Sequence, residues 1–186
     1  MRISIKMKKV LFQEVEIPEG IEASLDENKF TVKGPEGENS REFNLGRLDF
    51  KIQDKKITLG NKVSTKTEKK MMNTIVAHIQ NMIAGVQEKF VYELKICYSH
   101  FPFTVKIEGN KVEIKNFLGE KISRETKIPE GAEVEMKKDI ITVKSINKEI
   151  AGQAAANFEI ATKIKGRDKR IFQDGIYITK KNGKEI

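Results

Sequence analysis

The side chains best suited to covalent chemistry in this sequence are one cysteine and a histidine three positions after it. Cys97 and His100 could act as nucleophile and general base, because a nearby imidazole can remove the proton of a thiol. Nothing in the sequence supplies a third group that would orient His100. We therefore interpret Cys97 as a structural thiol, and a small hydrolase that uses this pair is the enzyme alternative.

Residues that could hold a metal or a cofactor are too few and too scattered. Neither His78 nor His100 has a cysteine or a second histidine at metal-ligand spacing. Cys97 is the only cysteine, which excludes an internal disulfide. The turn Gly34-Pro-Glu-Gly37 lacks the Gly-Lys-Ser/Thr and the following helix of a phosphate loop. The sequence therefore predicts no catalytic residue, metal, cofactor or small-molecule substrate.

Basic residues are concentrated near the C-terminal end of the chain. The segment from Lys163 to Arg170 holds five cations and one acid, and Lys180 and Lys181 follow it. A formal net charge of +8 over 186 residues favours an anionic partner. Arginine can bind two phosphate oxygens at once and lysine acts as a point charge, so this glycine-containing segment suits RNA. A charged loop that contacts only solvent is the alternative.

Other segments point less directly to a partner. Six lysines lie between Lys55 and Lys70, where an exposed lysine face explains them at least as well as RNA contact does. No apolar run approaches the roughly 18 residues of a membrane span. Residues 1–12 are basic and lack the long apolar stretch of a signal peptide. We expect a soluble protein of the cytosol without a membrane partner.

Two helices are predicted from apolar periodicity and capping residues. The first runs from about Thr65 to Ala84, where Thr65 and Glu68 have capping-box spacing and Gly85 is the expected stop. The second begins after Asn147, a favourable N-cap. The side chains expected to face the core are Met72, Ile75, Val76, Ile79, Met82 and Ile83 in the first helix, and Ile150, Ala151, Ala154, Phe158 and Ala161 in the second.

Strands are predicted from apolar residues at every second position. A tight turn at Gly109-Asn110 is expected to join two of these strands. Of the phenylalanines that could stack on bases, Phe101, Phe103, Phe117 and Phe172, the alternation places Phe103 in the core. The predicted inward sets are Phe43 and Leu45; Phe50 and Ile52; Ile57 and Leu59; Tyr92, Leu94, Ile96 and Tyr98; Phe103, Val105 and Ile107; Val112 and Ile114.

The chain contains two competing internal matches. Ile17-Pro-Glu-Gly20 matches Ile128-Pro-Glu-Gly131, and residues 25–42 match residues 107–125. We prefer the second match because it preserves the order of predicted elements, as a repeated supersecondary unit should. It predicts an α+β fold of two tandem similar lobes, 1–86 and 87–186. Each lobe is expected to be a small antiparallel sheet packed with one long helix.

Four stretches in series resemble the universal large-subunit ribosomal protein family L-six, called L-nine in eukaryotic naming. They are His78-Ile-Gln-Asn-Met-Ile-Ala-Gly-Val86, Tyr98-Ser-His-Phe-Pro102, Asn116-Phe-Leu-Gly-Glu-Lys121 and Arg170-Ile-Phe-Gln-Asp-Gly-Ile-Tyr-Ile178. The resemblance covers nearly the whole chain, and the last stretch is similar to the archaeal and eukaryotic branch.

The resemblance implies a structural constituent of the large ribosomal subunit in the cytoplasm, without enzyme activity. Its partners would be large-subunit ribosomal RNA and neighbouring ribosomal proteins. The second lobe would bind RNA near the sarcin–ricin loop and the translation-factor site. A free-standing RNA-binding or chaperone-like protein is the alternative. The residues that the resemblance places on RNA are Lys163, Lys165, Arg167, Lys169 and Arg170, with Lys180 and Lys181 as further candidates.

Overall fold

A computed structural model describes residues 9–53 and 55–186 of the chain. These residues form two α-helices and fourteen strands, and all strand pairs are antiparallel. The α+β prediction is therefore confirmed. The chain divides into two compact units after Glu88. No helix in the described ranges is long and apolar enough to cross a membrane. The predicted lack of a signal peptide concerns residues 1–12, of which the first eight lie outside the described ranges.

The first unit consists of six strands in two three-stranded sheets, followed by one helix. The sheet orders are β1–β6–β5 and β2–β3–β4. The elements are β1 (Lys9–Glu16), β2 (Glu22–Asp26), β3 (Lys29–Gly34), β4 (Gly37–Glu42), β5 (Asp49–Gln53), β6 (Lys56–Ser64) and α1 (Lys66–Gln87).

The second unit repeats this order of elements and then adds two strands. Its sheets have the orders β8–β9–β10 and β11–β12–β7–β13–β14. The elements are β7 (Phe90–Cys97), β8 (Thr104–Glu108), β9 (Lys111–Lys115), a short 3-10 turn (Phe117–Gly119), β10 (Arg124–Lys127), β11 (Glu133–Lys137), β12 (Ile140–Ser145), α2 (Lys148–Ala161), β13 (Gly175–Lys181) and β14 (Lys184–Glu185).

The expectation of one sheet in each lobe is wrong, since each unit has two. Alternation in the sequence shows which side chains point inward, but it does not show which strands share hydrogen bonds. The predicted strand at Phe43 and Leu45 is also wrong. Phe43 is buried in a loop, where its N–H donates to the carbonyl of Asn28 at 2.8 Å. A turn at Gly46, with φ of 56°, prevents the segment from continuing as a strand.

Helix α1 begins as predicted and ends later than predicted. The Thr65 side chain and the Glu68 carboxylate form the expected capping box. Gly85 does not stop the helix, which continues to Gln87. Val86 is fully buried, and its carbonyl accepts a hydrogen bond from the N–H of Glu36 at 3.1 Å. Packing of this last turn therefore outweighs the preference of glycine for a helix end.

Helix α2 begins directly after its predicted cap, Asn147, whose side chain accepts the N–H of Glu149 at 2.9 Å. Its small residues let it lie close to the five-stranded sheet. The buried residues of the helix are Ala151, Ala154, Ala155 and Phe158. They belong to one core with Leu94, Ile141, Val143 and Ile176 of the sheet strands.

Both internal matches coincide with hairpins in the structure. Glu27 and Lys138 occupy the same left-handed turn position, with φ of 54° and 53°. Hairpin β2–β3 therefore has the same turn as hairpin β11–β12, which explains the first match. The second match sets the meander β2–β3–β4 against β8–β9–β10. The predicted tight turn at Gly109-Asn110 is confirmed by the pairing of Glu108 with Lys111.

Candidate nucleic-acid interface

The predicted RNA-binding segment forms a loop that joins α2 to β13. We call residues 162–174 the basic loop. Its five cations, Lys163, Lys165, Arg167, Lys169 and Arg170, are all exposed. Ile164 is buried in the core, so the first turn of the loop is held while the lysines on either side point outward. This exposure is what contact with a phosphate backbone requires.

The two arginines of the basic loop differ in their surroundings. Arg170 forks onto the carboxylate of Asp168, with its Nη2 at 2.7 Å from Oδ2. The Arg170 guanidinium lowers the pKa of Asp168, and the carboxylate raises the pKa of Arg170. Arg167 forms no ion pair among the described residues, although its charge helps to lower the pKa of Glu120 after the larger effect of Arg124, and its guanidinium lies over the ring of Phe172 at 4.8 Å. Arg167 is therefore more readily available to a phosphate than Arg170.

Phe172 connects the basic loop to a second segment of the unit. Its ring stacks on the imidazole of His100, with centroids 4.6 Å apart and an interplanar angle of 23°. Arg167, Phe172 and His100 thus form a continuous contact in which the two polar side chains are exposed and the phenylalanine ring between them is partly buried. Of the other phenylalanines considered for base stacking, Phe103 and Phe117 are buried in the core, which confirms the prediction for Phe103, while Phe101 is about half exposed.

A fully buried carboxylate, Asp174, fixes this contact. Its Oδ2 lies 2.7 Å from Nδ1 of His100, and its Oδ1 accepts the backbone N–H groups of Ser99 and His100. Burial alone would raise the pKa of Asp174. Hydrogen bonds from Ser99 and His100 lower it by a larger amount, so the pKa of Asp174 lies below the usual aspartate value. The carboxylate is therefore charged at neutral pH and joins two stretches that are more than 70 residues apart.

The strand that follows the loop is held to the end of α2 by two side chains. Thr162 Oγ1 accepts the N–H of Ile176 at 2.9 Å, and Glu159 Oε1 accepts the N–H of Ile178 at 3.0 Å. Both ends of the basic loop are therefore anchored to the same helix. An interface on such a loop loses less conformational entropy on binding than a mobile one would.

Arg124 holds the helix end from the opposite side. Its guanidinium donates to the carbonyls of Ala161 and Lys163 at 2.9 and 3.1 Å, and it forks onto Glu120. The Arg124 guanidinium lowers the pKa of Glu120. It also lies over the ring of Phe117 at 4.4 Å. The stretch from Asn116 to Lys121 thus has a structural role in supporting the basic loop.

Lys180 and Lys181 lie outside the basic loop, on strand β13. Lys180 is half-buried and pairs with Glu93 at 3.2 Å, whereas Lys181 is exposed. The structure therefore brings together five of the seven predicted cations and leaves these two on the strand that follows. We call residues 55–70 the second basic segment. In this segment, Lys55 pairs with Glu19 at 3.9 Å and Lys56 pairs with Glu16 at 3.6 Å.

The geometry around His100 does not form a proton relay. Ser99 Oγ and Asp174 Oδ2 both contact the same ring nitrogen, Nδ1, at 3.1 and 2.7 Å. In a relay the acid and the nucleophile contact opposite nitrogens, so that the ring can pass a proton between them. Within the described residues, no hydrogen bond joins Cys97 to His100, and no group of three acidic, histidine or cysteine side chains could hold a metal.

Sequence reasoning missed Asp168 and Asp174 as partners of loop cations and of His100. One signal was present for Asp168, because a single acid among five cations has a high chance of forming a local ion pair. The Asp174–His100 contact had no comparable signal. It depends on the pairing of β7 with β13, which places Cys97 opposite Gly175.

Comparison with known proteins gives one family. The family model described as ribosomal protein L6 matches residues 17–89 and 101–175. "Large ribosomal subunit protein uL6" of Methanobrevibacter smithii is 48% identical over 91% of this chain and 95% of its own length. The protein of the same name from Sulfurisphaera tokodaii is 44% identical over 92% of each chain, and that from Methanococcus vannielii is 44% identical over 94% of this chain and 96% of its own. These relatives confirm the archaeal resemblance, and the chain belongs to the ribosomal protein L6 family.

Proposed function

We propose that this protein is a structural constituent of the large ribosomal subunit in the cytoplasm, with no catalytic activity. The family match over most of the chain and the names of the relatives support this role. A hydrolase built on Cys97 and His100 is set aside, because the family consists of ribosomal proteins and no hydrogen bond joins Cys97 to His100 among the described residues.

The finer proposal is that the second lobe, residues 87–186, binds large-subunit ribosomal RNA through the basic loop. The observation that carries it is the exposure of all five loop cations on a segment anchored at both ends. Side chains fixed in this way can match the phosphates and 2′-hydroxyls of a folded RNA by shape. Lys180 and Lys181 would contribute charge from the neighbouring strand.

The proposed location on the RNA is near the sarcin–ricin loop and the translation-factor site. Neighbouring ribosomal proteins would contact the first lobe, residues 1–86. The division of the chain after Glu88 and the repeated order of strands and helix support two lobes with these approximate bounds. The resemblance of four sequence stretches to the family supports the location.

Filter binding to protein-free large-subunit RNA from Methanobrevibacter smithii tests the RNA-binding site. Each Lys or Arg that contacts a phosphate steepens the dependence of affinity on salt. The double variant Arg167→Ala with Arg170→Ala should bind more weakly, and its slope of log Kd against log salt should fall by up to about 2. Arg167→Ala should account for more of the loss, because Arg170 is held by Asp168.

The matched control is Lys62→Ala with Lys66→Ala, which removes the same charge from exposed positions of the second basic segment. Equal losses for the two double variants would show that only net charge matters and would contradict the assignment. Release of the protein from gradient-purified subunits by a high-salt wash would instead favour the free-standing RNA-binding or chaperone-like protein.

A further inference from the structure

A cavity of about 300 Å³ opens beside the basic loop of the second unit. This volume lies at the lower end of the range for ligand pockets, roughly 300 to 1,000 Å³. The cavity is therefore large enough for part of a ligand that continues outside it. It is lined by the end of α2, the basic loop and the start of β13.

The interior of this cavity offers few polar atoms to a ligand. Thr162 Oγ1 and Glu159 Oε1 already accept backbone N–H groups of β13. Ile164 and Ile176 are buried, and Phe172 is occupied on one side by His100. A group that enters this space gains chiefly from apolar and aromatic contact rather than from hydrogen bonds.

The mouth of the cavity combines apolar exposure with positive charge. Ile160 is 63% exposed and Tyr177 is 43% exposed, and both line the cavity. Lys163 and Lys169 lie at the same cavity, are exposed, and have no ion pair among the described residues. An apolar space flanked by lysines is complementary to an aromatic group that carries anionic groups on either side.

The position of Tyr177 is set by its neighbour Gly175. A methyl group on Gly175 would lie 3.2 Å from Cζ and Oη of the tyrosine. The ring thus folds back over the start of β13, where the glycine leaves room for it. Burial of part of the ring raises the pKa of its hydroxyl.

We propose that this cavity receives one unstacked nucleobase of large-subunit ribosomal RNA, stacked on Tyr177. The phosphates on either side of that base would contact Lys163 and Lys169. RNA loops and bulges supply splayed bases, and proteins bind them by stacking on aromatic rings. This inference rests on the proposed RNA-binding function and adds a specific contact to it.

Variants of Tyr177 test the stacking contact in the same filter-binding assay. Tyr177→Leu should weaken binding about tenfold, the order seen when a base-stacking aromatic is removed. The salt slope should not change, because no charge is removed. Tyr177→Phe keeps the ring and should bind like the unmodified protein. Tyr98→Leu is the matched control, since Tyr98 is 49% exposed and lies outside the cavity.

Ultraviolet crosslinking of the unmodified protein to the RNA tests the contact without any substitution. We expect base adducts on Tyr177 or Phe172, identified by mass spectrometry. Absence of such adducts overturns the proposal, as does a folded Tyr177→Leu variant that binds RNA with unchanged affinity. If that variant binds RNA normally but large ribosomal subunits that contain it lack a neighbouring protein, the cavity holds a protein segment instead of a base. Failure of the unmodified protein to bind RNA would refute the proposed function itself.

Discussion

Replacing Asp174 by asparagine removes one negative charge from the interior of the second unit and leaves the side-chain volume almost unchanged. The carboxylate accepts hydrogen bonds from two backbone N–H groups, and its second oxygen faces Nδ1 of His100. An asparagine retains one oxygen for Ser99 and His100, but its amide group then faces the imidazole nitrogen. His100 must change tautomer to accept that hydrogen bond, and every remaining bond loses the contribution of the charge.

Hydrogen bonds to charged groups contribute about 1.5–3 kcal/mol each, against about 1 kcal/mol for neutral pairs. We therefore expect Asp174→Asn to lower the free energy of unfolding by about 2 kcal/mol. Asp174→Ala should cost about 3–5 kcal/mol, because it leaves three partly buried donors, the backbone N–H groups of Ser99 and His100 and the His100 ring, without their acceptor. Urea denaturation followed by circular dichroism measures both values on the full chain.

The pH dependence gives a second readout of the same carboxylate. The pKa of Asp174 is lower in the folded protein than in the unfolded chain. Its stabilising contribution is therefore complete above the unfolded value of about 3.9 and is lost as the pH falls through the folded pKa. The stability difference between the unmodified protein and Asp174→Asn should shrink below about pH 4. Asp168→Asn is the exposed control and should change stability much less. A loss below about 0.5 kcal/mol for Asp174→Asn, typical of surface substitutions, would refute this reasoning.

Four further substitutions test side-chain contacts within the two units. Arg124→Ala should lower the free energy of unfolding by about 1–3 kcal/mol, because the carbonyls at the end of α2 lose their donor; Arg124→Lys should recover only part of this, and full recovery in urea denaturation would contradict the role of the fork. Gly34→Ala should cost about 1–3 kcal/mol, because the new methyl group would lie 2.9 Å from Cγ2 and the carbonyl oxygen of Val86. Gly152→Ala in α2 meets nothing closer than 3.6 Å and should be neutral or stabilising by up to about 1 kcal/mol in the same assay. Equal changes in the free energy of unfolding for the two glycine substitutions would show that the contact with Val86 is not tight.

Local signals in the sequence were sufficient for the helix starts and for five of the six predicted inward-facing sets, which fall on β5 to β9. Thr65 with Glu68, and Asn147, cap helices through contacts within three residues, so their effect can be read directly from the chain. Gly85 misled the prediction because burial of Val86 depends on strand β3 and the turn after it. The same limit explains why two sheets in each unit were taken for one.

The same distinction between local signals and long-range contacts applies to the candidate site. The cations of the basic loop were identifiable because charge and exposure are properties of a short segment. The contacts of each cation could not be predicted in this way, since Arg170 pairs with Asp168 while Arg167 packs on Phe172. Asp174 carries no local signal of its role. Its contact with His100 follows from strand pairing across more than 70 residues, which no local pattern reveals.

The pairing of β13 with β7 also constrains the order in which this protein can become functional. The ribosome synthesises a chain from its N-terminus, so β7 and α2 leave it before the strand that joins them. A nascent chain that ends before residue 175 already carries all five loop cations, yet it lacks Ile176 and Ile178, which bind the helix end. Such a chain would hold its positive charge on a segment anchored at one end only, by Arg124 and by the burial of Ile164. The fully anchored loop can therefore form only after the last residues of the second unit have been synthesised.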